Sequence, residues 1–385
     1  MTKTRAAAYR ICILTSVHSP FDVRVFHKEG RSLARAGYEV TLIAPHERDE
    51  VVDGVVIKSL PSVGGRVSRM TRTVWRLYCE AVHQDADVYH FHDPELIPIG
   101  LLLRLRGKEV IYDIHEDVPA SILSRSWIPR PLRRVVSLTA GFIEESAASV
   151  FSGVITADST NAERFDRCNP LTACLENFPL LADFSEPRDA HSPAEGEGFI
   201  VNFGGVNPAH SIREIVSAME LLRSDLGARL VLGGDLSSPQ LLNDLQTMPG
   251  WTRVQYIGVV PWKLMGSLYL KARAGLVLYS PHPNHYVVRS NRFYQTLAAG
   301  LPVITSNFPR WKEQVESSGC GVAVDPTDPF SIAEAISFMY QHPDKAAEMG
   351  QRGRSLFVNK FNWNREEPRL LEFYERVLLG NVKRG

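Results

Sequence analysis

Two doubly wound α/β domains are the fold class that this sequence predicts. Three observations carry the prediction. Apolar strand-like runs alternate with amphipathic helical stretches along nearly the whole chain, the sequence form of a parallel sheet covered by helices. The chain has 385 residues, more than one hydrophobic core usually serves. A polar stretch, DFSEPRDAHSPAEGEG at 183–198, breaks the alternation near the middle with a linker composition. The expected domains are therefore 1–182 and 199–362, joined by 183–198, with a terminal helix over 363–385.

The elements follow in order. Tyr9 to Thr15 (YRICILT) is a short apolar strand. The polar loop SVHSPFDVR follows, then an amphipathic helix from Phe26 to Gly37, then the strand YEVTLIAP. This is an opening βαβ unit. Further strands are expected at 55–60, 87–92, 109–115 and 150–157, with the helix LIPIGLLLRLRG between two of them. The second domain reads FIVNFGGV, a helix at Ile212–Leu222, then RLVLGGD, VQYIGVV, GLVLYS, a helix from Ser290, GVAVDP, and helices from Ser331 onward.

Composition excludes several classes. Lys+Arg and Asp+Glu are 43 each, and no basic stripe is interleaved with aromatics, so a nucleic-acid partner is not expected. No run approaches the ~20 apolar residues of a membrane span. The N-terminus shows no long apolar signal segment, and the expected location is cytoplasmic. Five cysteines (Cys12, Cys79, Cys168, Cys174, Cys320) lack metal-type spacing and are read as mostly buried, reduced thiols.

Ligands of doubly wound sheets bind beyond the carboxyl ends of the strands. In the first domain those loops carry His18, Asp22 and Arg24, then His90 to Glu95, then Asp113 to Asp117. Histidine and carboxylate thus come to one rim from three loops. His90 and His92 share a strand face, but the further Asp-His of a hydrolase-type metal signature is missing, and no metal is expected. Asp22 and Arg24 either bind hydroxyls or pair with each other. The Asp93-Pro94 turn either lines the cleft or anchors its loop.

In the second domain the stretch SNRFYQTLAAGLPVI (290–304) is the most informative. Phe293, Leu297 and Ala298 fall at helical spacing, Gly300 stops the helix, and Val303-Ile304 begin a strand. A helix that starts with Asn291 and Arg292 aims free N–H groups and a guanidinium at whatever lies before it, which suits phosphate. The stretch resembles the nucleotide-sugar-binding helix of GT-B glycosyltransferases, most like family 4, and the resemblance runs from about Arg10 to Leu379. Ser290 stands where the family has Pro, Arg292 where it has Lys, and Gln295 where it has the Glu that binds ribose hydroxyls. Val287 and Gln295 occupy the positions of the family's two glutamates.

The resemblance implies the GT-B fold, two Rossmann-like domains facing across a cleft, with the C-terminal helix crossing back to the first. It implies retaining, metal-independent transfer from a nucleotide-diphosphate sugar, with no cofactor, to a glycan or lipid-linked glycan, in surface polysaccharide or glycoconjugate synthesis. His115 resembles the catalytic-centre histidine after the fourth strand. His18, Asp22, Arg24, His92, Asp93 and Glu95 fall on the acceptor side. Gly204, Gly205, His210, Ile257, Gly258, Arg289, Asn291, Arg292 and Gln295 fall on the donor side, with His210 in the family's basic position. The arginines and apolar residues of 118–143 read either as a solvated helix face or as a peripheral membrane contact on the cytoplasmic side. A non-catalytic GT-B protein binding a glycan or partner is the alternative function, and a nucleotide-sugar isomerase is a third.

Overall fold

The computed structural model describes residues 9–61, 69–124, 128–184, 198–282, 285–286 and 290–382. Arg289, Val287, Arg125, Trp127 and most of the expected linker (185–197) lie outside the described residues. The chain divides into two compact units, Met1–Asn177 with Trp363–Gly385, and Phe178–Asn362.

In the first unit eight strands form one sheet: β1 (Arg10–Leu14), β2 (Glu39–Pro45), β3 (Glu50–Val52), β4 (Val55–Leu60), β5 (Val88–Phe91), β6 (Glu109–Ile114), β7 (Gly153–Thr156) and β8 (Thr172–Cys174). Their order is β3-β4-β2-β1-β5-β6-β7-β8. All pairings are parallel except β3 with β4. Strands β5 and β6 are buried along their whole length, so His90, Glu109 and Asp113 are buried along with their apolar neighbours. Strand order reverses at β1, with β2 on one side and β5 on the other, so the crevice opens beyond Leu14 and Phe91.

The first helix starts earlier than its apolar pattern suggests. Turns of π type span Val23–Gly30 and run into an α-helix at Arg31–Arg35. Asp22 sets the start, because its Oδ1 accepts the N–H groups of Arg24 and Val25 at 2.8 and 3.0 Å. The terminal helix, Trp363–Val382, belongs to this unit. Trp363 is buried and donates Nε1–H to Ser32 Oγ at 3.0 Å. The thiols correct the sequence reading: Cys12 and Cys320 are buried, Cys79 is exposed, and Cys168 and Cys174 are half-buried.

The second unit holds a six-stranded parallel sheet, β11-β10-β9-β12-β13-β14. Its strands are β9 (Phe199–Phe203), β10 (Leu230–Gly233), β11 (Val254–Tyr256), β12 (Ala272–Val277), β13 (Val303–Ser306) and β14 (Gly321–Val324). Alternate residues feed two cores. Ile200, Leu230, Leu232, Leu276 and Ile304 enter one, while Val201, Phe203, Val231, Val277 and Val303 enter the other. Strand order reverses between β9 and β12, so the second crevice opens beyond Phe203 and Val277. The helix Asn291–Ala298 buries Phe293, Leu297 and Ala298 as its spacing predicts, and Gly300 closes it at φ +68°.

Candidate functional site

Each unit gathers polar side chains at its own crevice. In the first unit, the loops after β1, β5 and β6 bring His18, His92 and His115 together. His115 Nε2 lies 3.0 Å from His92 Nδ1, and the rings of His18 and His115 stand 5.2 Å apart. The His115 side chain is 21% exposed, enough to meet a ligand. His18 lies between two carboxylates, 3.6 Å from Asp22 and 3.5 Å from Asp93. Its contact with Asp22 raises its pKa, against the opposing pull of burial. Burial would raise Asp22 in turn, but His18 and the helix N–H groups hold it well below the usual carboxylate range. The raised pKa makes His18 readier than a free imidazole to carry positive charge near neutral pH.

Three residues expected on the acceptor rim sit behind it instead. Arg24 is 3% exposed. It does not pair with Asp22. Its Nε and Nη2 donate to the two oxygens of Asp113 at 2.9 and 3.0 Å, and Nε also meets Glu29 Oε1 at 3.0 Å. His92 is buried as well, in contact with His115 rather than solvent. Asp93 anchors its loop: Oδ2 accepts from Ser16 N at 2.6 Å and Thr15 Oγ1 at 2.9 Å. Half-buried Glu95 accepts from Ser16 Oγ at 2.8 Å. Of the two readings of the Asp-Pro turn, the structure supports loop anchoring.

Behind the rim, donor atoms of Glu29, His90, His92 and Asp113 lie within 4.8 Å of one another, close enough for a metal ion. Arg24 already brings a cation to both carboxylates. One guanidinium facing two buried acids leaves one proton to be held. Burial and the neighbouring Asp113 push Glu29 well above its ordinary value, whereas Arg24 keeps Asp113 well below, against the effect of burial. Burial also lowers His90 and His92, which are neutral. Sequence patterning did not single out Glu29, because a lone acid inside an amphipathic helix normally faces water.

In the second unit, the helix at 291–298 aims its first turn at the loop after β9. Arg292 is 6% exposed. Its Nη1 donates to Asn202 Oδ1 at 3.0 Å, and its guanidinium lies 4.8 Å over the Tyr279 ring. Arg292 Nη2 and Asn202 Nδ2 are buried donors with no hydrogen-bond partner among the described residues. An unmet buried donor costs about 1–3 kcal/mol, and phosphate oxygens arriving there would offset that cost. Gly204 lies against the Arg292 side chain, so a Cβ there would fall 3.1 Å from Arg292 Cδ. Gly234, after β10, is required where it is: with φ +146°, a Cβ would reach 1.6 Å from Gly204 O.

His210 packs edge-on against Tyr279, with ring centroids 4.8 Å apart, and Nδ1 contacts the Gly205 carbonyl. Burial and the Arg292 guanidinium push its pKa down to about 4, so it is neutral at pH 7. Asn291 is exposed and Gln295 half-buried. The main chain of Ile257 and Gly258 is partly committed: Ile257 N–H bonds Leu232 O at 3.0 Å, and Gly258 O accepts from Gly234 N at 2.6 Å. Tyr279 and Asn202 were missed in the sequence. A polar Asn closing the apolar run FIVNF, at a strand's carboxyl end, was the available signal for Asn202.

Comparisons with known proteins agree with this architecture. The model of the Glycosyl transferase 4-like domain matches residues 23–167, and that of Glycosyl transferases group 1 matches 183–356. The chain belongs to the group 1 glycosyltransferases and has the GT-B fold. Among curated relatives, glycogen synthase of Mycobacterium tuberculosis is 23% identical over 281 residues, covering 72% of this chain and 66% of that protein. The chain thus spans just under two thirds of that relative's length. Among solved structures, sucrose-phosphate synthase from Thermosynechococcus elongatus superposes with a TM-score of 0.70 at 18% identity, covering 97% of this chain and 100% of the other. HepE of Anabaena, in complex with UDP-glucose, superposes with a TM-score of 0.69 at 13% identity, covering 95% and 99%.

Proposed function

We propose that this protein transfers a sugar, with retention at the anomeric carbon, from a nucleotide-diphosphate sugar to a glycan or lipid-linked glycan during surface polysaccharide or glycoconjugate synthesis. The observation that carries the reading is Arg292. It is a buried guanidinium at a helix N-terminus, at the switch point of a doubly wound sheet, with one donor unmet. The second unit holds the donor pyrophosphate through Arg292, Asn202, the helix N–H groups and the backbone at Gly204 and Gly205. Charge developing on the leaving diphosphate is stabilised by groups already in place. The reading assigns no metal or cofactor. His115 is the first unit's residue at the reacting centre, and His18, Asp22 and Glu95 are the rim groups for acceptor hydroxyls.

The test is calorimetric titration with UDP, GDP, dTDP and ADP sugars. One of them should bind, and a ligand at a hundred times its Kd should add about 2.7 kcal/mol of stability. HepE is a complex with UDP-glucose, which makes UDP sugars the first to try. No binding by any of them at millimolar concentration would favour the non-catalytic reading.

The acceptor side carries a second part of the proposal. The helix Arg130–Ala148 exposes Leu132, Val135, Leu138, Ile143 and Phe142, the last at 73%. Arg130, Arg133 and Arg134 lie on the same helix. An exposed apolar row with arginines elsewhere on the same helix suits an anionic bilayer, each arginine near the surface contributing about 1 kcal/mol. Among the described residues no helix is long and apolar enough to cross a membrane. Phosphatidylglycerol vesicles should pellet the wild type at low salt but not the triple Arg→Ser variant. Equal pelleting of the two would leave an ordinary solvated face.

A further inference from the structure

Net stability does not explain why the buried set behind the His115 rim is polar, although breaking one of its pairs would be costly. Replacing a buried ion pair by apolar residues is often neutral or stabilising. Yet this core keeps six polar side chains, Arg24, Glu29, His90, His92, Asp113 and Tyr374, linked by mutual contacts. Arg24 clamps Asp113 through two hydrogen bonds and meets Glu29. A third donor, Arg24 Nη1, bonds Leu175 O at 2.9 Å and fixes the guanidinium. The hydroxyl of Tyr374, from the terminal helix, stands 2.7 Å from His90 Nδ1. His92 sits between Glu29, whose Oε2 is 3.6 Å from Nε2, and Asp113, whose Oδ2 is 3.4 Å from Nδ1. Two members of the set reach the partly exposed His115: His92 Nδ1 stands 3.0 Å from His115 Nε2, and Asp113 Oδ2 stands 3.5 Å from the same nitrogen, so His92 makes the shorter contact.

We propose that His92 is a positioning residue for His115, itself oriented by Glu29 and Asp113, so that the buried network sets the ring angle and tautomer of the rim histidine. The contact commits His115 Nε2 inward, and Nδ1 becomes the nitrogen that meets a ligand. Either ring can be the donor in this contact, so whether His92 Nδ1 donates or accepts decides which tautomer His115 adopts. In chemical terms the arrangement is a histidine held by a second histidine, where a carboxylate more often does that work. The proposal rests on the reading of His115 as the residue at the reacting centre.

Two kinds of measurement separate the proposal from that reading. The first needs no turnover: the imidazole nitrogens of 15N-labelled full-length protein. His115 should show one tautomer with a hydrogen-bonded Nε2 in the wild type, and an averaged pair in His92→Phe. A freely averaging His115 in the unmutated protein would overturn the proposal even if that variant fails to fold. The second is kinetic. His92→Asn, whose amide reaches the position of Nδ1, should keep kcat within a few-fold. His92→Phe should lower it by about tenfold to a hundredfold with the donor KM unchanged, as expected when a reacting group is misplaced. Equal losses in both variants, accompanied by weaker donor binding, would show a structural role only. One equivalent of a transition metal on the purified protein would also overturn the proposal, since the four donors would then serve an ion. Full turnover in His115→Ala would defeat the functional reading alone and leave the tautomer result standing.

Discussion

The two units use buried arginine in opposite ways. Arg24, in the first, has both carboxylates and a carbonyl within hydrogen-bonding or ion-pair distance. Arg292, in the second, has one amide oxygen and an aromatic face, and keeps a buried donor unmet. Both sit near the carboxyl ends of a central strand, where doubly wound sheets bind ligands. A saturated guanidinium holds its own fold in place, whereas an unsaturated one is suited to an anion from outside. On the proposed function, the second unit takes the diphosphate and the first holds a positioned histidine.

The largest expected effect comes from His115. His115→Ala should reduce sugar transfer by about a hundredfold or more, the range of a positioned proton-transfer group, while nucleotide binding stays within a few-fold, since the proposal places the nucleotide on the other unit. Turnover close to wild type would remove His115 from the chemistry.

The contrast between the arginines is sharpened by stability. Arg24→Met leaves Asp113 as a buried, unpaired acid and should destabilise the first unit by about 3–5 kcal/mol. Arg292→Ala removes the bond to Asn202 and the contact with the Tyr279 ring, but also a buried donor with no partner, and should cost less, about 1–2 kcal/mol. Thermal unfolding measures both. Equal losses would mean that Arg292 is as structural as Arg24.

A smaller effect concerns pH. His210 is neutral in the free protein, held near 4, and a bound diphosphate would raise its pKa. The complex then takes up a proton that the free protein lacks. Affinity should therefore tighten as pH falls from neutral toward the free value, beyond the titration of the nucleotide itself. His210→Gln should lose that extra slope. A slope identical in the variant would place His210 outside phosphate contact. The smallest effect is expected from Gln295→Glu. Gln295 is half-buried and stands at the family's ribose-binding position, so donor affinity should stay within a few-fold or improve. A tenfold loss would show that the neutral amide is needed.

The alternation of strands and helices and the helix at 291–298 were legible because each rests on local periodicity and turn chemistry, whereas strand order, and with it both switch points, was not. Ser290 to Ile304 pointed to Arg292 because a helix start is a local feature. The roles of Arg24, His92 and Asp93 were not legible. All three stand at or just beyond strand-end loops, where polar residues are normally exposed, and what buries them are partners from other elements: Ser16 is 77 residues from Asp93, Asp113 is 89 from Arg24, and His115 is 23 from His92. Glu29 and Tyr374 were missed for the same reason, since neither departs from its own helix's pattern. Tyr279 directly follows an apolar strand and reads as core until Arg292 is placed over its ring.

The most direct test of the account is calorimetric titration of nucleotide diphosphate into wild type and Arg292→Ala side by side. The account predicts binding by the wild type and a loss of more than tenfold in the variant, from one charge-assisted hydrogen bond worth about 1.5–3 kcal/mol, with the variant still folded. Equal affinity in the two proteins would contradict it.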